Sequence, residues 1–182
     1  MTRRARRSLP DKVVALSVAL QSIPHAFGGA LSLAYHAEPR ATVDIDLNLF
    51  VPPSQVALVF EPLRALGVEV AGADLEVVRD GQTRVMWDGT PLDLFFAYDE
   101  FHEAARLGAI TVPFGDTTIQ ILSAEHLCVC KVIFDRPKDW IDIDAMRALG
   151  THIDAAEVLR WVGRIAGDDD PRFDRIAAVL TT

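Results

Sequence analysis

Two aspartates separated by a single residue, Asp44 and Asp46, sit in a run of strand formers, TVDIDLNLFV from Thr42 to Val51. Successive side chains of a strand point to opposite faces, so the two carboxylates share one face and Ile45 and Leu47 the other. Carboxylates held a few ångströms apart repel one another unless a cation lies between them. A hard divalent cation such as Mg²⁺ takes oxygen ligands of this kind and keeps positions open for water and phosphate. Upstream, Gly28-Gly29 precede apolar residues at helical spacing. A glycine pair opening a helix lets backbone N–H groups approach phosphate oxygens. Together the two features point to a metal–nucleotide site with the glycines on its phosphate side.

A third carboxylate, Asp93, interrupts the strand-like run LDLFFAY, where a core strand would carry another apolar residue. Burying it unpaired would cost on the order of several kcal/mol. It therefore needs a metal or cationic partner, unless it lies at a solvent edge after the Gly-Thr-Pro turn. The segment LCVCKVIFDRPKDWIDI holds Lys131, Arg136, Lys138, Asp139 and Asp142. Lys131 breaks an apolar helical face, so it either snorkels to the surface or points into a cleft to meet a triphosphate. Asp139 and Asp142 are three apart and share a helix face. Either could face the cleft, or the pair could belong to an exposed, salt-bridged helix start.

The elements that must position these residues follow from periodicity and turn chemistry. Residues 11–21 read as a helix capped by a preceding Ser or Asp and stopped by Pro24, residues 25–27 as a short extended entry, and 29–36 as a helix broken at Glu38-Pro39. Residues 42–51 read as a strand, 54–66 as a helix ended by Gly67, and 68–78 as extended, with Asp80-Gly81 as a hairpin turn into 83–87. A further turn at Asp88-Gly89 leads to a strand over 91–98, followed by a short helix at 100–106 and a last hairpin at 109–112 and 117–121. From Ser123 the period is helical throughout, with four helices. The expected organisation is an α/β core over 1–122, its glycine turns favouring antiparallel pairing, and a helical part over 123–182 packed on it.

Half of the 182 residues are hydrophobic and about a quarter charged, the balance of a soluble globular protein. No apolar run is long enough to span a membrane. The start, MTRRARR before VVALSVAL, is interrupted by Asp11 and Lys12, so it reads as a first helix behind a basic tail, not as a cleaved leader. Cys128 and Cys130 match neither a redox nor a zinc spacing, and read as thiols in a reducing cytoplasm. The net charge is −8; without Arg3, Arg4, Arg6 and Arg7 it is −12, from 14 basic and 26 acidic residues. Such a body is a poor general nucleic-acid binder. A polynucleotide would be held by a local patch, with the tail either helping or simply solvated.

Gly28-Gly29, the R-A-T-V-D-I-D run from Arg40 to Asp46, the later strand Asp93 and the segment from Lys131 through Arg136-Pro137-Lys138-Asp139 to Asp142 together resemble the nucleotidyltransferase superfamily. Within it they are most similar to the AbiEii/MenT-like toxins of prokaryotic toxin–antitoxin systems, over roughly residues 27–146. The resemblance implies a polymerase-β-like α/β (α+β) core with a mixed sheet and a helical C-terminal part. It implies Mg²⁺- (or Mn²⁺-) dependent transfer of nucleotides from an NTP to the 3′ acceptor end of tRNA, blocking aminoacylation, with a cognate antitoxin as partner.

Carried over residue by residue, the resemblance makes Asp44, Asp46 and Asp93 metal ligands, and Asp44, Asp46, Lys131 and Asp142 catalytic. Gly28, Gly29, Arg40, Thr42, Lys131 and Asp139 would bind nucleotide, and Thr42 would be a site of silencing phosphorylation. The same chemistry on a small molecule or a protein, and a non-catalytic nucleotide-binding relative, are the alternatives. Three filled acidic positions argue against the last.

Overall fold

The computed structural model describes residues 7–181. The expectation for the basic tail rests mainly on Arg3, Arg4 and Arg6, which lie outside the described residues. The first helix, α1 (Leu9–Ala19), starts at a capping box in which Ser8 Oγ accepts from the Asp11 N–H and the Asp11 carboxylate accepts from the Ser8 N–H. Val13 and Leu16 along it, and Leu20 at its end, are buried. Lys12 is buried as well: its Nζ donates to the Trp87 carbonyl (2.6 Å) and to Thr90 Oγ1 (2.9 Å), tying the helix to a hairpin seventy-five residues away.

The chain then runs through β1 (His25–Phe27), α2 (Gly29–Leu33), β2 (Ile45–Leu49) and a 3₁₀ turn at Pro53–Gln55 into α3 (Val56–Leu66), which Gly67 ends in the left-handed region at φ 91°. Next come α4 (Ala73–Asp80), β3 (Gln82–Trp87) and β4 (Thr90–Phe96), then α5 (Glu100–Leu107), β5 (Ile110–Phe114) and β6 (Thr117–Ile121). Four helices follow: α6 (Ala124–Phe134), α7 (Pro137–Ala148), α8 (Ala155–Ala166) and α9 (Pro171–Thr181).

Several boundaries differ from the sequence reading; the helix expected over 29–36 ends at Leu33. The stretch expected to be extended over 68–78 makes only one bridge, Glu69 to Met86, before α4 begins. Gly72 at φ 79° turns the chain, Ala73 and Val77 bury one helical face, and Asp74 and Glu76 favour the positive N-terminal end. Asp80-Gly81 is accordingly the end of that helix, not a hairpin turn. The hairpin lies at Asp88-Gly89, both with positive φ (47° and 72°), and joins β3 to β4. The strand expected from Thr42 forms from Ile45, because Thr42 and Asp44 are tied to each other instead of to a neighbour.

The sheet runs β3-β4-β2-β1-β6-β5. β4 pairs parallel with β2 and β1 parallel with β6; the other three pairings are antiparallel. It is a mixed sheet with more antiparallel than parallel pairs. Ile45, Leu47, Leu49, Leu92, Leu94 and Phe96 point to one face and form a core with residues of α1, α3 and α4. The opposite face carries Asp46, Asn48, Asp93 and Phe95, and Phe95 meets Phe134 of α6 edge to face at 5.7 Å. A second core lies among α5 to α9, around Val129, Ile143, Val158, Trp161 and Ile176. A third, with Ala26, Leu33, Leu122, Leu127 and Met146, binds α6 and α7 to β1 and α2.

Leu47 is fully buried between the two site-facing residues Asp46 and Asn48. Leu47→Ala should lower unfolding free energy by about 2–5 kcal/mol, read from urea unfolding. A loss below about 1 kcal/mol would show that the centre of the sheet does not carry the fold.

Candidate active site

The site is built from two adjacent rows across the sheet. In the first, Arg84 of β3 lies opposite Asp93 of β4, and Asp93 opposite Asp46 of β2. Just beyond β1, the Gly28 N–H donates to the Asp46 carbonyl at 3.0 Å. Two residues along, Gln82, Phe95, Asn48 and Ala26 form the second row. Asp44 sits at the mouth of β2, one residue ahead of the strand.

The glycine pair is dictated by contact. A Cβ on Gly29, whose φ is +51°, would overlap the Asp46 carboxylate, and one on Gly28 would come within 2.8 Å of Asn48 Nδ2. Only glycine lets the start of α2 lie directly on the acid row. Asp46 is largely buried there. Burial, with repulsion from Asp44 and Asp93, pushes its pKa up to about 6 against the partial relief of Arg136 and Lys131. Asp44 behaves differently. Burial opposes its ionisation, but the Thr42 hydroxyl, its own backbone N–H and the charges of Lys138 and Arg84 outweigh burial and hold its pKa below the usual range. The Thr42 hydroxyl donates directly to the Asp44 carboxylate.

Asp93 has the cationic partner its sequence position called for. Arg84 donates through Nε to Oδ1 (2.6 Å) and through Nη2 to Oδ2 (2.7 Å), so both carboxylate oxygens are engaged. Among the described residues no group of three or more His, Cys, Asp or Glu side chains is gathered as a metal site. The donor set nonetheless suits a hard divalent cation: three carboxylates on or just ahead of two adjacent strands, one of them raised in pKa by burial and by a repulsion that a cation would cancel.

Lys131 does not snorkel. It is 4 % exposed on α6, its Nζ 2.5 Å from Asp142 Oδ2 and 3.6 Å from Asp139 Oδ1. Asp139 and Asp142 of α7 are both buried, which settles them against an exposed helix start. Asp142 also accepts two bonds from Arg40, through Nε and Nη2, each 2.9 Å. These cations overcome the effect of burial and lower its pKa. Asp139 accepts from Arg136 Nε at 2.6 Å and Nη2 at 3.1 Å. Lys131 and Asp139 line, with Gly28, Gly29 and Asp46, a cavity of about 40 Å³.

All the residues singled out from the sequence therefore lie in or beside one cleft, with Arg40 and Asp142 at its α7 side. A wider basin of about 430 Å³ opens from Asp46 and Asp93 past Arg79, Arg84 and Arg136. Arg84, Arg79 and Asn48 were not anticipated. Arg84 was legible in principle, since a two-residue turn at Asp88-Gly89 pairs residue 84 with residue 93. Cys128 is buried, which pushes its thiol up to about 12, and Cys130 is half-buried; neither is bonded to the other.

The mixed sheet and its helices have the fold of known nucleotidyltransferase structures. The solution structure of the antibiotic-resistance factor ANT(2'')-Ia matches with a TM-score of 0.58 at 15 % identity, covering 94 % of this chain and 90 % of that one. The crystal structure of ANT(2'')-Ia in complex with adenylyl-2''-tobramycin matches at 0.53 and 13 % identity, covering 94 % and 96 %. The family model "Nucleotidyl transferase AbiEii toxin, Type IV TA system" matches residues 14–178, and the chain belongs to that family. Membership of a type IV toxin–antitoxin family implies an NTP substrate and a cognate antitoxin. No curated protein matches the chain. Among the described residues no helix is long and apolar enough to cross a membrane.

The raised pKa of Asp46 makes a stability test. Between about pH 4 and 6 the folded protein retains a proton that the unfolded chain has released, so stability falls as pH rises through that window. The penalty is complete above about pH 6 and absent below about pH 4. In EDTA, Asp46→Asn should exceed the parent in stability near neutral pH by on the order of 1–3 kcal/mol, the gap closing towards pH 4. A gap independent of pH in urea unfolding would show that the ionisation of buried Asp46 is not its source.

Proposed function

We propose that this chain transfers a nucleotide from an NTP to the 3′ acceptor end of tRNA, blocking aminoacylation and translation in the cytoplasm, and that a cognate antitoxin neutralises it. The observation that carries the nucleotidyl-transfer site is the contact of Gly29 with the Asp46 carboxylate, which brings a helix start and the acid row within one phosphate's reach. Three arginines, Arg79, Arg84 and Arg136, line the basin beside that row. Asp46, Glu76, Asp80 and Asp93 share the lining, so an anionic acceptor would have to draw these arginines from their carboxylates.

Asp44, Asp46 and Asp93 would hold Mg²⁺ (or Mn²⁺), which when bound supplies positive charge for the oxygens entering and leaving phosphorus. The α/β part to residue 122 contributes the acids and the glycine pair. The helices from residue 123 contribute Lys131, which with the backbone at Gly28-Gly29 binds the phosphates of the NTP. Asp142 and Asp139 keep Lys131 in position, and Arg40 holds the segment before β2 against α7. The acceptor hydroxyl forms a new bond to the α-phosphorus and loses its proton, while the bond to pyrophosphate breaks and pyrophosphate departs.

Thr42 is the proposed point of control. Its hydroxyl bonds the Asp44 carboxylate, so a phosphate there would set roughly −1.5 to −2 charges against the acid row. Thr42→Glu is expected to abolish transfer, and an active Thr42→Glu enzyme would contradict this control.

The assay is incubation with Mg²⁺, each labelled NTP in turn, and total tRNA. Label should enter the tRNA 3′ end with the parent and fall at least about a hundredfold with Asp44→Ala. Label on a small molecule or a protein alone would move the acceptor to those classes. No label anywhere, with NTP affinity unaffected by Asp44→Ala, would leave only nucleotide binding.

A further inference from the structure

The acid row contains one carboxylate that is already committed. Asp93 gives both oxygens to Arg84, whereas Asp46 directly beside it has no cation bonded to it. The two partners are unequally exposed: 60 % of the Arg84 side chain against 15 % of Asp93. Arg84 stands on β3, the edge strand of the sheet, at the wall of the 430 Å³ basin. The basin's other two arginines are paired outside the acid row, Arg79 with Asp80 and Arg136 with Asp139. Of the three, Arg84 alone occupies one of the carboxylates proposed to hold the metal.

We infer that Arg84 is a latch opened by the acceptor: it holds Asp93 in the resting protein, and a phosphate of an incoming polynucleotide takes over its guanidinium and frees Asp93. This rests on the nucleotidyltransfer reading above and deepens it by fixing the class of acceptor. A guanidinium fork makes the same two-bond contact with phosphate as with carboxylate, so the exchange replaces one bidentate pair by another. The guanidinium is 60 % exposed, so a phosphate arriving from solvent can reach it without first entering the acid row. A neutral or cationic acceptor offers the guanidinium no new partner and leaves the latch shut. Arg84 is thus a positioning residue that acts through Asp93. Its consequence is a site that binds its cation weakly, and wastes little NTP on water, until the acceptor has arrived.

The test is the affinity of the full, metal-stripped chain for Mn²⁺, followed by electron paramagnetic resonance. The probe is a short oligoribonucleotide whose 3′ end lacks the hydroxyl, so that no transfer takes place. Arg84→Gln should bind Mn²⁺ roughly fivefold more tightly than the parent, the equivalent of an exposed ion pair removed. The oligonucleotide should bring the parent to that affinity and leave Arg84→Gln unchanged. In Asp93→Asn neither gain should appear. Equal Mn²⁺ affinity of Arg84→Gln and parent overturns the latch, as does an oligonucleotide that tightens Mn²⁺ binding equally in both. An oligonucleotide without effect on the parent overturns the acceptor's part in opening it. Should Arg84→Gln not fold, Arg84→Met also removes the guanidinium and keeps most of its length, and the same comparison applies. Because no nucleotide is transferred, a failure of tRNA as the acceptor in the labelling assay would leave these outcomes as they stand.

Discussion

Repulsion among three carboxylates on neighbouring strands is the constraint around which this molecule is arranged. Asp46 lies in register with Asp93, and Asp44 precedes it on the same chain. Placing Asp46 on the solvent-poor side of a sheet raises its pKa to about 6, so at neutral pH the fold works against its own site. The opposite face compensates. Ile45, Leu47 and Leu49 of the same strand are fully buried, as are their neighbours Leu92, Leu94 and Phe96. The apolar side of β2 and β4 holds the strands together while their polar side pushes apart, with Arg84 relieving part of that repulsion at Asp93.

A second constraint follows from how near the backbone must come. The start of α2 rests on Asp46, and the overlap that any Cβ at Gly29 would cause leaves glycine alone at that position. α2 is only five residues long. Its work is done in the first turn, and Ser32 then fixes it by donating from Oγ to the Leu122 carbonyl at 2.9 Å, just before α6. Through that bond the glycine pair is tied to the helices that carry Lys131.

Much of this was written in the sequence, and what was hidden was hidden for identifiable reasons. The D-x-D pair, the glycines and Asp93 could be read because alternation along a strand fixes the face of each residue without any tertiary knowledge. The segment before β3 was misread because its Val68, Val70, Val77 and Val78 suggest a strand, whereas the Ala73–Val77 spacing and the acidic first turn decide for α4. Lys131 could not be resolved from its own helix, since snorkelling and burial leave the same pattern. The answer lay in Asp139 and Asp142 of the next helix, whose approach depends on how α6 and α7 cross. Lys12 is the sharper case: its partners are the Trp87 carbonyl and Thr90, and no local pattern announces a lysine spent on a distant hairpin.

The charges of the cleft are sorted by element. On the sheet, Asp44, Asp46 and Asp93 face one arginine, Arg84, and with all three acids ionised that row is left doubly negative. On the helical side, Asp139 and Asp142 are shared among Lys131, Arg136 and Arg40, three cations to two carboxylates, so that this network carries one net positive charge. A negative row and a positive network meet at the small cavity beside Gly28-Gly29. This is the polarity a cation and a triphosphate together require, and neither half alone would serve: a lone acid row repels phosphate, and an unpaired charge buried on α6 would be costly. Asp139 and Asp142 pair with the lysine at the expense of part of its field. Arg40 and Arg136, on the segments that flank the cleft, restore what the two carboxylates take away.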